Sequence, residues 1–167
     1  MLAGAADIRL ACFDVDGVFT DGRLLLGDDG AEYKCFHVRD GHGVRRLLQA
    51  GVAVAVISGR ESSAVSRRMK ELGVTHVFQG VGDKVAVLER LLTEMGLSAS
   101  QAAFVGDDEP DLLVMARAGL AIAVADAHAA VRAAAHWTTS APGGNGAVRE
   151  VCDMLVAARR RAEEGEG

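Results

Sequence analysis

The stretch CFDVDGVFTDG, residues 12–22, sets three aspartates within eight positions at the end of an apolar run that begins at Ile8. Adjacent carboxylates repel, and each costs free energy to desolvate, so packing gives no reason for them. The cluster calls for a positive partner at that point.

Outward from this stretch, short apolar runs alternate with longer segments of helical period, the pattern of a parallel sheet covered by helices on both faces. IRLACFDV (8–15), VAVAVIS (52–58), HVF (76–78), AAFVG (102–106) and LAIAVA (120–125) read as strands. They are apolar throughout, as doubly covered strands are. Between them, Ala64, Val65, Met69 and Leu72 share one helical face, and Val85, Leu88, Leu92 and Met95 share another. Asp83 is placed to cap the second of these helices. In DDEPDLLVMARAG, Pro110 suits a first helical turn and Gly119 suits a C-cap. The expected fold is therefore α/β, a Rossmann-like parallel sheet, in a single domain over 1–167.

One segment breaks the alternation. RLLLGDDGAEYKCF (23–36) has two short runs around GDDG and reads as a β-hairpin inserted after the first strand. The charged end RRRAEEGEG (159–167) reads as a frayed helix terminus and tail.

Composition narrows the function classes. Half of the 167 residues are apolar, enough for a full core, and 18 Lys and Arg against 23 Asp and Glu give a formal charge of −5. So mild a balance gives no argument for nucleic acid or an anionic membrane. Cys12, Cys35 and Cys152 are scattered and odd in number, which fits a reducing cytoplasm rather than a disulfide framework or a zinc site. No run approaches the roughly 18 apolar residues of a spanning helix, so the expectation is a cytoplasmic protein without a membrane partner.

Ligands of open parallel sheets bind beyond the carboxyl ends of the strands. Asp14 and Asp16 stand there after the first strand, Ser58, Gly59 and Arg60 after the second, and Asp107, Asp108 and Asp111 around the end of the fourth. Lys84 opens the helix after the third. Asp14, Asp16 and Asp107 are placed to converge on a hard divalent cation such as magnesium, which offsets their repulsion. A carboxylate kept ionised beside phosphate is a nucleophile, and a second one two residues on, Asp16, is placed to protonate the leaving alkoxide. Lys84, the Ser58 hydroxyl and backbone N–H groups near Gly17 and Gly59 offer charge and donors for phosphoryl oxygens.

DVDGVFTDG, ISGR, DK and GDDEPD, in this order, resemble the four motifs of the haloacid dehalogenase-like phosphatases, over nearly the whole chain. Within that superfamily, DGVFTDGRLLLGDDGAEYKCFHVRDGHGV, GVTHVFQGVGDK, AVADAHAAVR and GGNGAVREVCDMLV are similar to the family that hydrolyses 3-deoxy-D-manno-octulosonate 8-phosphate (Kdo 8-phosphate) in lipopolysaccharide synthesis. The resemblance implies a capless, magnesium-dependent enzyme assembled as a homotetramer in which a neighbour helps close each site. It implies Asp14 as nucleophile, and Asp16 as acid/base and as metal ligand through its carbonyl. Ser58, Lys84 and Asp107 complete the set carried over. Ser58 stands where many relatives have threonine, which keeps the hydroxyl, and Pro110 is unexpected inside the fourth motif.

Ordinary readings compete with some of these. A carboxylate pair after a strand also serves as a polar turn with a helix cap, and a lone lysine is commonly a solvated helix residue. Arg39, Arg60 and Arg68 are candidates for a bidentate grip on a substrate carboxylate, or equally surface arginines paired with acids. Gly143, Gly144 and Gly146 lack the spacing of a phosphate-cradling loop and read as a tight turn before the last helix. The five histidines and Trp137 read as structural or surface residues, and Cys12 as core.

The leading expectation is phosphate-ester hydrolysis on a sugar-acid phosphate. The first alternative is a phosphatase for nine-carbon keto-deoxy sugar acids. In that sister group, by resemblance, an acidic residue replaces the arginine matching Arg60, and the arginine matching Arg39 is lacking. A phosphate-accepting signalling receiver would carry an acceptor aspartate on the third strand, and HVFQG has none. A non-catalytic oligomerisation module is opposed by the intact four motifs.

Overall fold

A computed structural model of the chain describes Leu2 and residues 4–165. Among these, six strands form one parallel sheet: β1 (Leu10–Phe13), β4 (Ala53–Ile57), β5 (His76–Phe78), β6 (Ala102–Gly106), β7 (Leu120–Ala123) and β8 (Trp137–Thr138), in the order β5-β4-β1-β6-β7-β8. Every residue of β1 is fully buried, which is why it reads as an unbroken apolar run. The expected third and fourth strands fall on their expected residues, and the others are shorter by two to four residues. The β8 pairing, Ile122 with Trp137 and Ala123 with Thr138, goes beyond the sequence reading, since two residues give no periodic signal.

The helices are α1 (Val38–Gln49), α2 (Ser63–Leu72), α3 (Lys84–Met95), α4 (Leu112–Arg117), α5 (Ala129–Ala134) and α6 (Ala147–Gly165). Asp83 caps α3 as expected, its Oδ1 accepting the Ala86 N–H at 3.0 Å. Val65, Met69 and Leu72 of α2, and Leu88 and Leu92 of α3, bury their faces in the core. The charged end is helical as far as Gly165, more ordered than the expected tail, and residues 166–167 lie outside those described. Gly119 is not a C-cap glycine: Ala118 ends α4, and Gly119 is required because a Cβ there would lie 2.5 Å from Ser100 Cα.

The insertion is a hairpin as expected, with β2 (Leu25–Leu26) antiparallel to β3 (Glu32–Tyr33) in a sheet of its own. Leu24, Leu25, Leu26 and Tyr33 are all about half to two-thirds exposed.

The chain crosses from β1 to β4 on one side and returns to β6 on the other. The crevice at the carboxyl end of β1 is thus the switch point at which open α/β sheets bind ligands. The turn at 143–146 packs directly beneath the segment that follows β1. Gly144 N donates to Val18 O at 2.9 Å, and a Cβ on Gly143 would lie 1.7 Å from Gly17 O, so only glycine fits. Buried Asp40 of α1 fixes that turn by accepting the Arg149 and Gly146 N–H groups at the start of α6, at 2.8 and 3.4 Å.

Candidate active site

The end of β1 is built to aim a carboxylate. Asp14 N donates to Val105 O of β6 at 3.0 Å, which continues the sheet by one residue, and the chain then turns tightly with three successive N–H groups, Val18 to Thr20, on Val15 O. Thr20 Oγ1 accepts the Gly17 and Gly22 N–H groups at 3.3 and 3.2 Å. The Gly17 N–H expected to serve a phosphate is therefore already engaged in holding the turn. Gly17 itself has φ +91° and lies so close to Asp107 that a Cβ would fall 2.0 Å from its Oδ2.

Asp14 is 8 % exposed, and Lys84 from the first turn of α3 donates to its Oδ1 at 2.7 Å. The same ammonium donates to Asp111 Oδ1 at 2.7 Å, so Lys84 is no solvated helix residue. Asp111 turns its other oxygen to the Asp107 N–H at 3.1 Å. It stands at the end of a one-turn 3-10 helix, Glu109–Asp111, that accommodates Pro110 and leads into α4.

Oxygens of Asp14, Asp107 and Asp111 all lie within 4.8 Å of one another. Burial, then the Asp111 charge, pushes Asp14 up to about 6 although Lys84 pulls the other way. Burial, then Asp14, Asp111 and Asp108, pushes Asp107 up to about 8. Burial works against the Lys84 ammonium as well, yet Asp14 and Asp111 outweigh it and raise its pKa. One lysine is thus too little for three packed carboxylates, and a hard oxygen-donor set short of positive charge fits magnesium. Asp111 joins this cluster, which the sequence reading left to Asp14, Asp16 and Asp107.

The Asp16 carboxylate does not join it. It turns to the other side of the cleft, where Lys34 donates to Oδ1 and Arg60 Nε lies 3.6 Å from Oδ2. A metal contact from Asp16 through its carbonyl is untouched by this, because the two groups are independent. Lys34 Nζ also lies 3.0 Å from Glu32 Oε1, and Arg60 donates to Glu32 Oε2. Burial opposes the Lys34 charge, but the hydrogen bond to Asp16 and the neighbouring Asp16 and Glu32 carboxylates outweigh it and raise its pKa. Lys34 escapes the sequence reading; the period-2 alternation of a strand, which puts Glu32 and Lys34 on one face, is the available signal.

Of these groups, Asp14, Asp16, Lys84, Asp107 and Asp111 line a cleft of about 640 Å³, within the usual range for small-molecule sites, while Lys34 and Glu32 stand behind Asp16. Ser58, Gly59 and Arg60 line it from the end of β4, and Pro110 and Leu113 form an apolar rim. Arg39 and Arg68 do not line it. Arg39 is exposed in the first turn of α1, and Arg68 of α2 pairs with Glu71 at 3.3 Å beside Gly41, because its helix face turns toward α1. Among the described residues, Arg60 is the candidate substrate arginine at this chain's own cleft.

Residues 76–151 match the family model of haloacid dehalogenase-like hydrolases. A 3-deoxy-D-manno-octulosonate 8-phosphate phosphatase of Yersinia pestis is 45 % identical over 163 residues, covering 98 % of this chain and 87 % of that protein. Its counterpart in Escherichia coli K12 is 43 % identical over 167 residues, covering 100 % and 89 %. Among solved structures, the Moraxella catarrhalis phosphatase of that name, in complex with magnesium, phosphate and Kdo, superposes with a TM-score of 0.92 at 40 % identity, covering 98 % of this chain and 94 % of that one. The Yersinia pestis crystal structure gives a TM-score of 0.94 at 44 % identity, covering 97 % and 88 %.

Proposed function

The chain belongs to the haloacid dehalogenase-like hydrolases and, within them, to the family of Kdo 8-phosphate phosphatases, and from that footing we propose how its cleft hydrolyses Kdo 8-phosphate to Kdo and phosphate in lipopolysaccharide precursor synthesis. The observation that carries this reading is the Asp14–Lys84–Asp111 ion-pair system at the switch point, present in a chain of which 98 % aligns with its Yersinia pestis relative.

An Asp14 oxygen attacks phosphorus as the bond from phosphorus to the sugar C8 oxygen breaks, giving an aspartyl-phosphate on Asp14. Asp16 gives a proton to the departing alkoxide. It then takes one from water as that water attacks phosphorus, and phosphate leaves with Asp14 restored. Lys84 and the Ser58 hydroxyl stabilise the phosphoryl oxygens. Asp14, Asp107 and the Asp16 carbonyl, with Asp111 alongside, would hold magnesium, which when bound would supply positive charge beside the carboxylates and the phosphoryl group.

Arg60 selects the substrate by gripping its carboxylate, with Gly59 giving backbone room. Arg39 and Arg68 reach substrate only by entering the cleft of a neighbouring subunit. That requirement fits a homotetramer built on the 23–36 hairpin, whose exposed Leu24, Leu25, Leu26 and Tyr33 need cover. No helix among the described residues is long and apolar enough to cross a membrane, and a substrate of this kind is met in the cytoplasm.

The test is phosphate release, with magnesium, from a panel of phosphorylated sugar acids. Kdo 8-phosphate is expected to lead the nine-carbon 9-phosphates in kcat/KM, and a reversed order would move the chain to the nine-carbon group.

A further inference from the structure

We propose that Lys34 is a positioning residue for proton transfer: from the inserted hairpin it holds the Asp16 carboxylate in the orientation from which Asp16 serves the leaving group. This rests on the phosphatase reading of the cleft and adds a residue outside the four motifs to it.

The Lys34 side chain is 2 % exposed, so its ammonium is stable only where it is paired. Its described partners are Asp16 Oδ1 and Glu32 Oε1. Glu32 Oε1 makes no well-aligned hydrogen bond, and Glu32 is served through its other oxygen by Arg60. The Asp16 bond is therefore the directional one. With Lys34 on Oδ1 and Arg60 near Oδ2, both oxygens are held from the hairpin side of the cleft, and the carboxylate plane is fixed away from the Asp14, Asp107 and Asp111 cluster. Nothing in the turn that carries Asp16 fixes that plane, since the Thr20 hydroxyl holds the Gly17 and Gly22 N–H groups instead. General acid catalysis demands such a fix, because the proton must be delivered at hydrogen-bond range along the breaking bond.

The consequence is selective. An alkoxide needs the proton as it leaves, and a nitrophenolate does not. The test is kcat/KM of Lys34→Met and Lys34→Gln across phosphate monoesters that lack a carboxylate, from p-nitrophenyl phosphate to a simple primary-alkyl phosphate. This parameter reports steps through departure of the leaving group, and omitting the carboxylate removes any role of Arg60 in substrate binding. General acid catalysis contributes about 10²–10⁴-fold, so losing its alignment should lower the alkyl-to-aryl ratio of kcat/KM by about tenfold or more, with Lys34→Arg restoring much of it. The glutamine variant keeps a polar tip, so the comparison survives if the methionine variant fails to fold. A ratio unchanged from wild type, whether both esters suffer equally or neither does, overturns the proposal and assigns Lys34 to phosphate binding or the fold. Wild-type protein inactive on Kdo 8-phosphate as well as on both esters would instead overturn the phosphatase reading itself.

Discussion

Asp14 and Asp16 are two residues apart, yet the fold supports them by different means. Asp14 extends a fully buried strand of the sheet, and its partners Lys84 and Asp111 sit on α3 and on the turn after β6, with Lys84 Nζ 2.7 Å from an oxygen of each aspartate. Asp16 faces Lys34, Glu32 and Arg60, two of them on a hairpin whose strands are two residues long. The first constellation is held by the core. The second is held by charge pairing around a buried Lys34, with Asp16, Glu32 and Arg60 partly open to water, where each ion pair is weaker. In the proposed mechanism, charge storage and nucleophilic attack therefore fall on the rigid half, and proton handling and substrate choice on the half that carries the insertion.

The largest effect should come from breaking the rigid half at its centre. Asp14→Asn fills nearly the same volume but supplies no nucleophile, and losses from removing a nucleophile run to about a thousandfold and beyond. The variant is expected to keep its circular dichroism spectrum and melting transition while phosphate release falls by at least about a thousandfold. Retention of a tenth of wild-type turnover would rule out the covalent route.

The same division explains how much of the site is legible in the sequence. The sheet-borne residues announce themselves because each follows an apolar run: Asp14 after 8–13, Ser58 after 52–57, Asp107 after 102–106. The topology rule for parallel sheets then brings those ends together. Asp111 is visible as part of a motif but not as a member of the acidic cluster, because its place depends on how a proline-containing 3-10 turn folds back on Asp107. Lys34 is hidden for the converse reason. Its partner is 18 residues away, and only the twist of a hairpin with no core of its own decides which face meets the cleft. Arg39 and Arg68 look equivalent to Arg60 in the sequence, and helix orientation is what separates them.

The next effect in size probes the adjustable half. Arg60 pairs with Asp16 and Glu32, and an incoming carboxylate would compete for the same guanidinium. Losing a charge-assisted contact costs about 1.5–3 kcal/mol, or roughly ten- to a hundredfold in kcat/KM. Arg60→Ala is expected to lose that much on Kdo 8-phosphate and several-fold less on p-nitrophenyl phosphate. Equal losses on the two esters would mean that Arg60 serves Asp16 rather than the substrate, and the two halves would then divide between nucleophile and acid instead of between chemistry and selection.

The smallest effect concerns stability, and it isolates the charge stored in the rigid half. Asp107 has its proton affinity raised to about 8 by burial and by Asp14, Asp111 and Asp108, against about 3.9 in the unfolded chain. Between those values the folded protein binds more protons than the unfolded one, so the stability of the metal-free protein falls as pH rises through that window. Asp14, raised to about 6, adds to the fall in its lower part. In chelator the melting temperature should therefore drop between about pH 5.5 and 8, by about 2–4 °C for each kcal/mol at this chain length. Magnesium should restore more at about pH 8 than at about pH 5.5, because only the ionised cluster binds it. Asp107→Asn removes the charge that is being stored, and it should melt higher than wild type in chelator at about pH 8 while responding less to magnesium. If the two proteins instead lose stability in parallel as pH rises, the strain lies elsewhere and the acidic cluster is not the part of the site that the metal stabilises.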